Sequence, residues 1–236
     1  MRNKFVLVIW LQICLAGLAM AQGTVSGVLN DDSGKPFRDG ARIMIIKAAE
    51  KPEGFTPFVS HTITNKDGQY QIGGVPAGKY ELCIWISGGE WVNTCRWGKA
   101  AATTLVANGG RVVVNLSLTR GKVFTIDLED ADGYLERHEN KSIGGFLDVG
   151  VMNDQKDLVE ADLASVDKMT RKYRVVVPVG VRFRVKATSP LFDIVSTNEA
   201  VQPLRVMADQ DQVIQAQDSS KGVTLKVNGV KTVGGK

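Results

Sequence analysis

Between Cys83 and Trp97 the sequence gathers the side chains best suited to work at a surface: Trp85, Trp91 and Trp97, with Cys83 and Cys95 among them. Flat indoles sharing one face could stack on a sugar ring or seat another protein. Read as strands, the segment puts Trp85 on the same side as Cys83, and Trp91 and Trp97 on the same side as Cys95. The plainer alternative is that the indoles pack around a buried bridge and cover one end of a core. That alternative is preferred, and the three tryptophans stand as candidate binding residues.

Groups able to break bonds are scarce. The two histidines, His61 and His138, lie far apart in the chain. A zinc peptidase needs two His and a Glu at close spacing. Glu136 and Glu139 flank His138, but a charged, turn-rich loop explains them. No Gly-x-Ser-x-Gly element is present. Asp127, Glu129, Asp130 and Asp132 could offer the paired carboxylates of sugar hydrolysis, yet they fall at a strand end and in a turn. Asp31–Gly34 and Asp130–Gly133 are oxygen-rich, but neither completes a calcium-binding loop. The expectation is therefore no catalytic residue, no metal and no cofactor.

The ends of the chain point to export. Arg2 and Lys4 precede an apolar run from Phe5 to Leu18, and Ala19-Met20-Ala21 follows with small residues where a signal peptidase reads. Residues 1–22 are expected to be a signal peptide cleaved after Ala21. The run is shorter than the roughly 20 residues of a membrane span, and no later segment is apolar enough. The expected location is secreted or periplasmic. Losing Arg2 and Lys4 takes the formal charge from +4 to +2. Residues 23–121 carry 11 basic and 8 acidic side chains, and 122–236 carry 16 and 17. Neither half is basic enough to suggest nucleic acid as partner. Cys14 leaves with the leader. Cys83 and Cys95, alone in an oxidising compartment, are expected to pair. Their spacing is too wide for Cys-x-x-Cys redox chemistry.

The elements that must position these groups read as strands. Two cassettes follow one another from Thr24 to Leu118. The first is Val25-Ser26-Gly27-Val28, a turn at Asp32–Pro36, then Gly40–Met44. The second is Thr62–Thr64, a turn at Asp67-Gly68, then Gln69–Ile72, Val75–Gly78 and Tyr80–Leu82. Apolar and polar residues alternate, and Gly or Pro stands where the chain reverses. The spacing predicts hairpins across Asn65–Gly68 and Val179-Gly180, a strand at Trp91–Trp97, one continuous strand over Arg111–Leu118, at most one helical turn near Glu160–Lys168, and a charged loop over Leu135–Ser142. Ala48–Pro57 reads as a polar insertion and 199–220 as loosely ordered. The fold class is all-β, two antiparallel sandwiches in tandem: 23–121, then an Ig-like 122–236 ending in a loose tail.

The first of these resembles the carboxypeptidase regulatory-like domain, a prealbumin-like (transthyretin-like) sandwich. The residues that carry the resemblance are Val25, Gly27, Val28, Asp32, Gly34, Pro36, Gly40, Ala41 and Ile43, then Thr64, Gly68, Tyr70, Ile72, Val75, Pro76, Gly78, Tyr80 and Leu82. It covers roughly 23–118, and the stretch to Trp97 resembles bacterial exported proteins with this domain. The resemblance implies an accessory, folding or binding role without catalytic residues. The expected function is a secreted, non-enzymatic binding or structural module that contacts protein or carbohydrate at or outside the cell surface. The alternative is a hydrolase of peptides or glycans with its site in 122–236.

Overall fold

The computed structural model describes residues 22–47, 58–139, 147–153, 156–167, 169–181, 183–196, 214–215 and 222–231. Residues 1–21, which hold the expected signal peptide, the Ala48–Pro57 stretch, most of 199–220 and the final residues from 232 lie outside them. The chain is all-β in character: among the described residues there are seventeen strands and one short helix. It divides into two compact units. Unit 1 takes Met1–Trp85 and Ala100–Ser117, and unit 2 takes Ile86–Lys99 and Leu118–Lys236. Residues 86–99, bounded in sequence by strands of unit 1, thus group with unit 2.

Unit 1 holds β1 (Gly23–Asn30), β2 (Arg42–Lys47), β3 (Val59–Ile63), β4 (Gln69–Val75), β5 (Gly78–Trp85), β6 (Ala102–Val106), β7 (Arg111–Val113) and β8 (Leu116–Ser117). One sheet runs β4-β1-β7, with β8 also on β1; the other runs β3-β2-β5-β6. Alternation decides the inner faces. Val25, Leu29, Ile43, Ile45, Tyr70, Ile72, Tyr80, Leu82 and Ile84 are buried between the sheets, while most of the residues between them are more exposed; Cys83 is buried as well.

The turns do something the sequence does not announce. Asn65–Gly68 is a tight turn, with the Asn65 side-chain oxygen accepting the amides of Asp67 and Gln69 at 2.9 Å each and Gly68 at φ 71°. Yet it joins β3 to β4, which lie in different sheets, so it is a corner and not the hairpin expected. Val75–Gly78 likewise carries the chain from β4 to β5, and the Tyr80 hydroxyl donates to the Pro76 carbonyl at 2.9 Å to fix it. Thr64 extends the β2–β3 pairing by one residue as the chain enters the corner. Its Oγ1 accepts the Ala41 amide, and its own amide donates to the Ala41 carbonyl, both at 2.9 Å.

Arg111–Leu118 is broken into β7 and β8, and both pair parallel to β1. The break follows from what lies opposite. The Val114 carbonyl turns in over Gly27 and accepts the Tyr70 hydroxyl at 2.5 Å. Burial raises the Tyr70 pKa above its ordinary value, which keeps that hydroxyl a donor. The antiparallel expectation therefore holds for most pairs and fails here and in one pair of unit 2.

Unit 2 holds β9 (Gly121–Glu129), α1 (Tyr134–Glu139), β10 (Asp148–Met152), β11 (Leu158–Glu160), β12 (Asp162–Asp167), β13 (Thr170–Pro178), β14 (Arg184–Thr188), β15 (Phe192–Ser196), β16 (Ile214–Gln215) and β17 (Val223–Val230). Its sheets run β12-β13-β9-β17-β15 and β11-β10-β14-β16, with β17 parallel to β9. The core is Phe124, Ile126 and Leu128 of β9, Tyr173, Val175 and Val177 of β13, Phe183, and Val185 and Ala187 of β14. Phe124 and Phe183 meet edge to face at 5.1 Å. Val179-Gly180 is again a change of sheet rather than a hairpin, because β13 and β14 do not pair. Residues 160–167, read as a possible helical turn, form β11 and β12. The start of the charged loop is α1, because Asp130 caps it: its two carboxylate oxygens accept the amides of Tyr134 and Leu135 at 2.9 and 2.7 Å.

Gly27 is where a side chain is least tolerable. A Cβ there would lie 1.9 Å from the Val114 oxygen, a backbone atom that cannot swing away. Gly73, on β4, has nothing within 4 Å of the same position and no left-handed φ. We expect Gly27→Ala to lower the unfolding free energy by about 3 kcal/mol in urea titration and Gly73→Ala to leave it within about 0.5 kcal/mol. Equal, small effects would contradict the observed approach of Val114 to β1.

Candidate binding site

Cys83 and Cys95 are disulfide-bonded. The bridge closes a short loop, and such a closure contributes about 2–3 kcal/mol, chiefly by restricting the unfolded chain. The second cysteine does not lie on a strand. Trp91 makes a single bridge to Arg120, and residues 94–98 are turn. Asn93 is the reason. Buried at 7 % exposure, its side-chain oxygen accepts the Arg96 amide at 3.1 Å, its backbone carbonyl accepts the Trp97 amide at 3.1 Å, and its Nδ2 donates to the Ile86 carbonyl at 3.3 Å. An Asx-type turn competes with extension and wins.

The three tryptophans separate accordingly. Trp85 ends β5 in unit 1, half-buried, in register with Arg42. Trp97 is 1 % exposed and belongs to the unit 2 core, where its Nε1 donates to the Val176 carbonyl at 3.0 Å. Almost none of its surface is left for a ligand, which corrects its candidacy as a binding residue. Trp91 stays half-buried, with the Arg120 guanidinium 4.6 Å over its ring. Shared strand parity, the basis for grouping them, does not hold once the segment turns.

Trp91 and Trp97 do help to line one cleft in unit 2. It is a shallow depression partly open to solvent, between residues 86–97, Val159, Asp162 and Arg174–Val176. Two arginines fasten the segment to the sheets. Arg96 pairs with Asp162 at 2.8 Å and donates to the Glu160 carbonyl at 3.1 Å. Arg174, on β13, donates from Nη2 to the Gly89 carbonyl at 2.7 Å. Glu90 and Arg120 form a looser pair at 3.5 Å with both side chains more than half exposed, and such pairs contribute little. Backbone pairs complete the seam: Val92 to Thr119 at 2.9 Å and Gly121 to Glu90 at 2.7 Å.

The candidate acids do not converge. Asp130 is spent on α1, and Asp132 is exposed. Asp127 alternates outward from buried Ile126 and Leu128 and registers beside Lys172 and Thr224; its Oδ1 is buried without a hydrogen-bond partner. Asp31 holds its own turn. The Ser33 hydroxyl, then the amides of Lys35 and Ser33, keep its carboxyl below the ordinary range. His61 is exposed on β3 opposite Met44. Among the described residues no three His, Cys, Asp or Glu side chains gather as metal ligands, and no described helix is long and apolar enough to cross a membrane.

No protein-family profile matches the chain, and no curated protein sequence does. Solved structures give distant likenesses. A streptococcal ancillary pilin is 10 % identical with TM-score 0.39, over 89 % of this chain and 63 % of the pilin. The Bacillus anthracis TIE protein is 13 % identical with TM-score 0.33, over 88 % of this chain and 34 % of that protein. The shaft pilin SpaA of Lactobacillus rhamnosus GG is 11 % identical with TM-score 0.31, over 89 % and 100 %. The chain thus spans about a third of the TIE protein and under two thirds of the streptococcal pilin. Likenesses at this level carry no function across.

Sequence reasoning missed Arg96, Asp162 and Arg174. Arg174 alternates with apolar residues on β13 and looks like any solvent-facing arginine; only the fold of 86–99 over it gives it a partner. If Trp97 anchors that segment, Trp97→Ala should cost about 3–5 kcal/mol in urea unfolding, and Trp91→Ala under about 1.5 kcal/mol. Comparable losses would contradict the assignment of one indole to the core and the other to the cleft.

Proposed function

We propose that the chain is an exported, non-catalytic binding or structural module, and that its contact surface is the cleft beside residues 86–99. The partner on this reading is a carbohydrate or a protein at or outside the cell surface. The composition of the cleft is the observation that carries it. Its lining offers an indole wall, two guanidinium groups and a single carboxylate, Asp162, already paired with Arg96. Glycoside hydrolysis by the common route needs two carboxyl groups a defined distance apart, and peptide hydrolysis needs a nucleophile with a base or an activated water. Among the described residues no histidine, cysteine or serine lines the cleft.

Unit 1 fits the carboxypeptidase regulatory-like family as a working assignment. Gly27, Gly68, Tyr70, Pro76 and Tyr80, five of the residues behind that resemblance, are the ones that hold its close approaches and corners. Residues 1–21 read as a signal peptide, and a disulfide suits the oxidising compartment that export implies.

The purified chain lacking residues 1–21 is expected to capture a glycan on an array or an exported protein in pull-down, and to lose that partner on Trp91→Ala. Turnover of a peptide or glycan substrate, with no partner retained in either assay, would overturn the proposal.

A further inference from the structure

We propose that this cleft takes an acidic polysaccharide, a chain bearing uronic acid carboxylates, and that Arg174 is the group that receives the carboxylate; the inference rests on the binding role proposed above. Arg174 is half-buried on β13, and among the described residues its guanidinium makes one hydrogen bond, to Gly89. A guanidinium carries five N–H donors. A partly desolvated one with donors to spare is best completed by an anion, and its planar fork matches a carboxylate. Arg96, across the cleft, is already engaged by Asp162 and the Glu160 carbonyl. Two arginines against one aspartate leave the lining net positive.

The neighbouring groups favour a sugar ring over an acidic peptide as the carrier. Trp91 gives the cleft a flat aromatic wall. At Gly88 an added Cβ would meet nothing within 4 Å, so the backbone faces open space there. Asp162 can accept hydroxyl hydrogen bonds while it repels a string of carboxylates. A peptide strand would need unpaired main-chain groups, but along this rim Val92, Trp97 and the Gly89 and Glu90 carbonyls are already paired. The cleft is partly open to solvent, so a polymer seated at one residue could continue beyond it.

The test is calorimetric titration of the chain lacking residues 1–21 with oligogalacturonate, with the same oligosaccharide after carboxyl reduction, and with oligoglutamate of equal charge. Oligogalacturonate should bind with an affinity that falls as salt rises. The carboxyl-reduced form should bind at least about tenfold more weakly, and Arg174→Gln should weaken oligogalacturonate by a similar factor. Asp162→Asn, which releases Arg96, should instead tighten it by about threefold. Thermal melts establish that each variant is folded, and the opposite sign of the Asp162 variant separates anion binding from general damage. The inference is overturned if Arg174→Gln binds as the parent does, if carboxyl reduction changes nothing, or if oligoglutamate binds as tightly. Trp91-dependent binding of neutral glycans alone would overturn this inference and leave the binding role standing. No ligand in any assay would remove both.

Discussion

The burial of Trp97 sets where residues 86–99 lie, and the candidate site depends on that placement. An indole buried to 1 % exposure removes a large apolar area from water, and its one polar group is satisfied by the Val176 carbonyl. The other fastenings are weaker or conditional. Glu90–Arg120 is exposed and loose, and Arg96–Asp162 keeps half of the aspartate in solvent. The disulfide acts mainly on the unfolded chain. A side chain that contributes several kcal/mol therefore fixes the segment, and the arginines then take their positions from it. Arg174 reaches Gly89 only because Gly89 has been brought over β13.

Unit 1 shows the same economy in another form. Its sheets are joined by corners that use one polar side chain each, Asn65 for β3 to β4 and Tyr80 for β4 to β5, and within one sheet Tyr70 holds the Val114 carbonyl over Gly27. Each corner satisfies backbone groups that would otherwise be stranded where a strand leaves its sheet.

The fold class was legible because alternation is a local signal. Val25 and Leu29, or Phe124, Ile126 and Leu128, show their inner faces by spacing alone. The pairing of strands was not legible. Asn65–Gly68 and Val179-Gly180 carry turn residues whether the chain returns beside its last strand or crosses to the facing sheet, so hairpins were expected where corners occur. The stretch 111–118 alternates well but cannot reveal that it runs parallel to β1. Of the site, Trp91 and the disulfide could be read from residue type. The separation of Trp97 from Trp85 could not, because it depends on Asn93 turning the chain, although Asn-Thr-Cys was a signal for a turn. Arg174 and Asp162 were invisible, being brought to the cleft by residues distant in sequence.

The most direct test of this account is hydrogen exchange at the tryptophan indoles, followed by NMR in the native protein. The Trp97 Nε1 proton should be protected close to the limit set by unfolding of its unit, because it is buried and bonded to Val176, while the half-buried Trp91 indole exchanges far faster. Exchange at Trp97 as rapid as at Trp91 would show that the segment is not anchored by this ring, and the cleft built on it would lose its foundation.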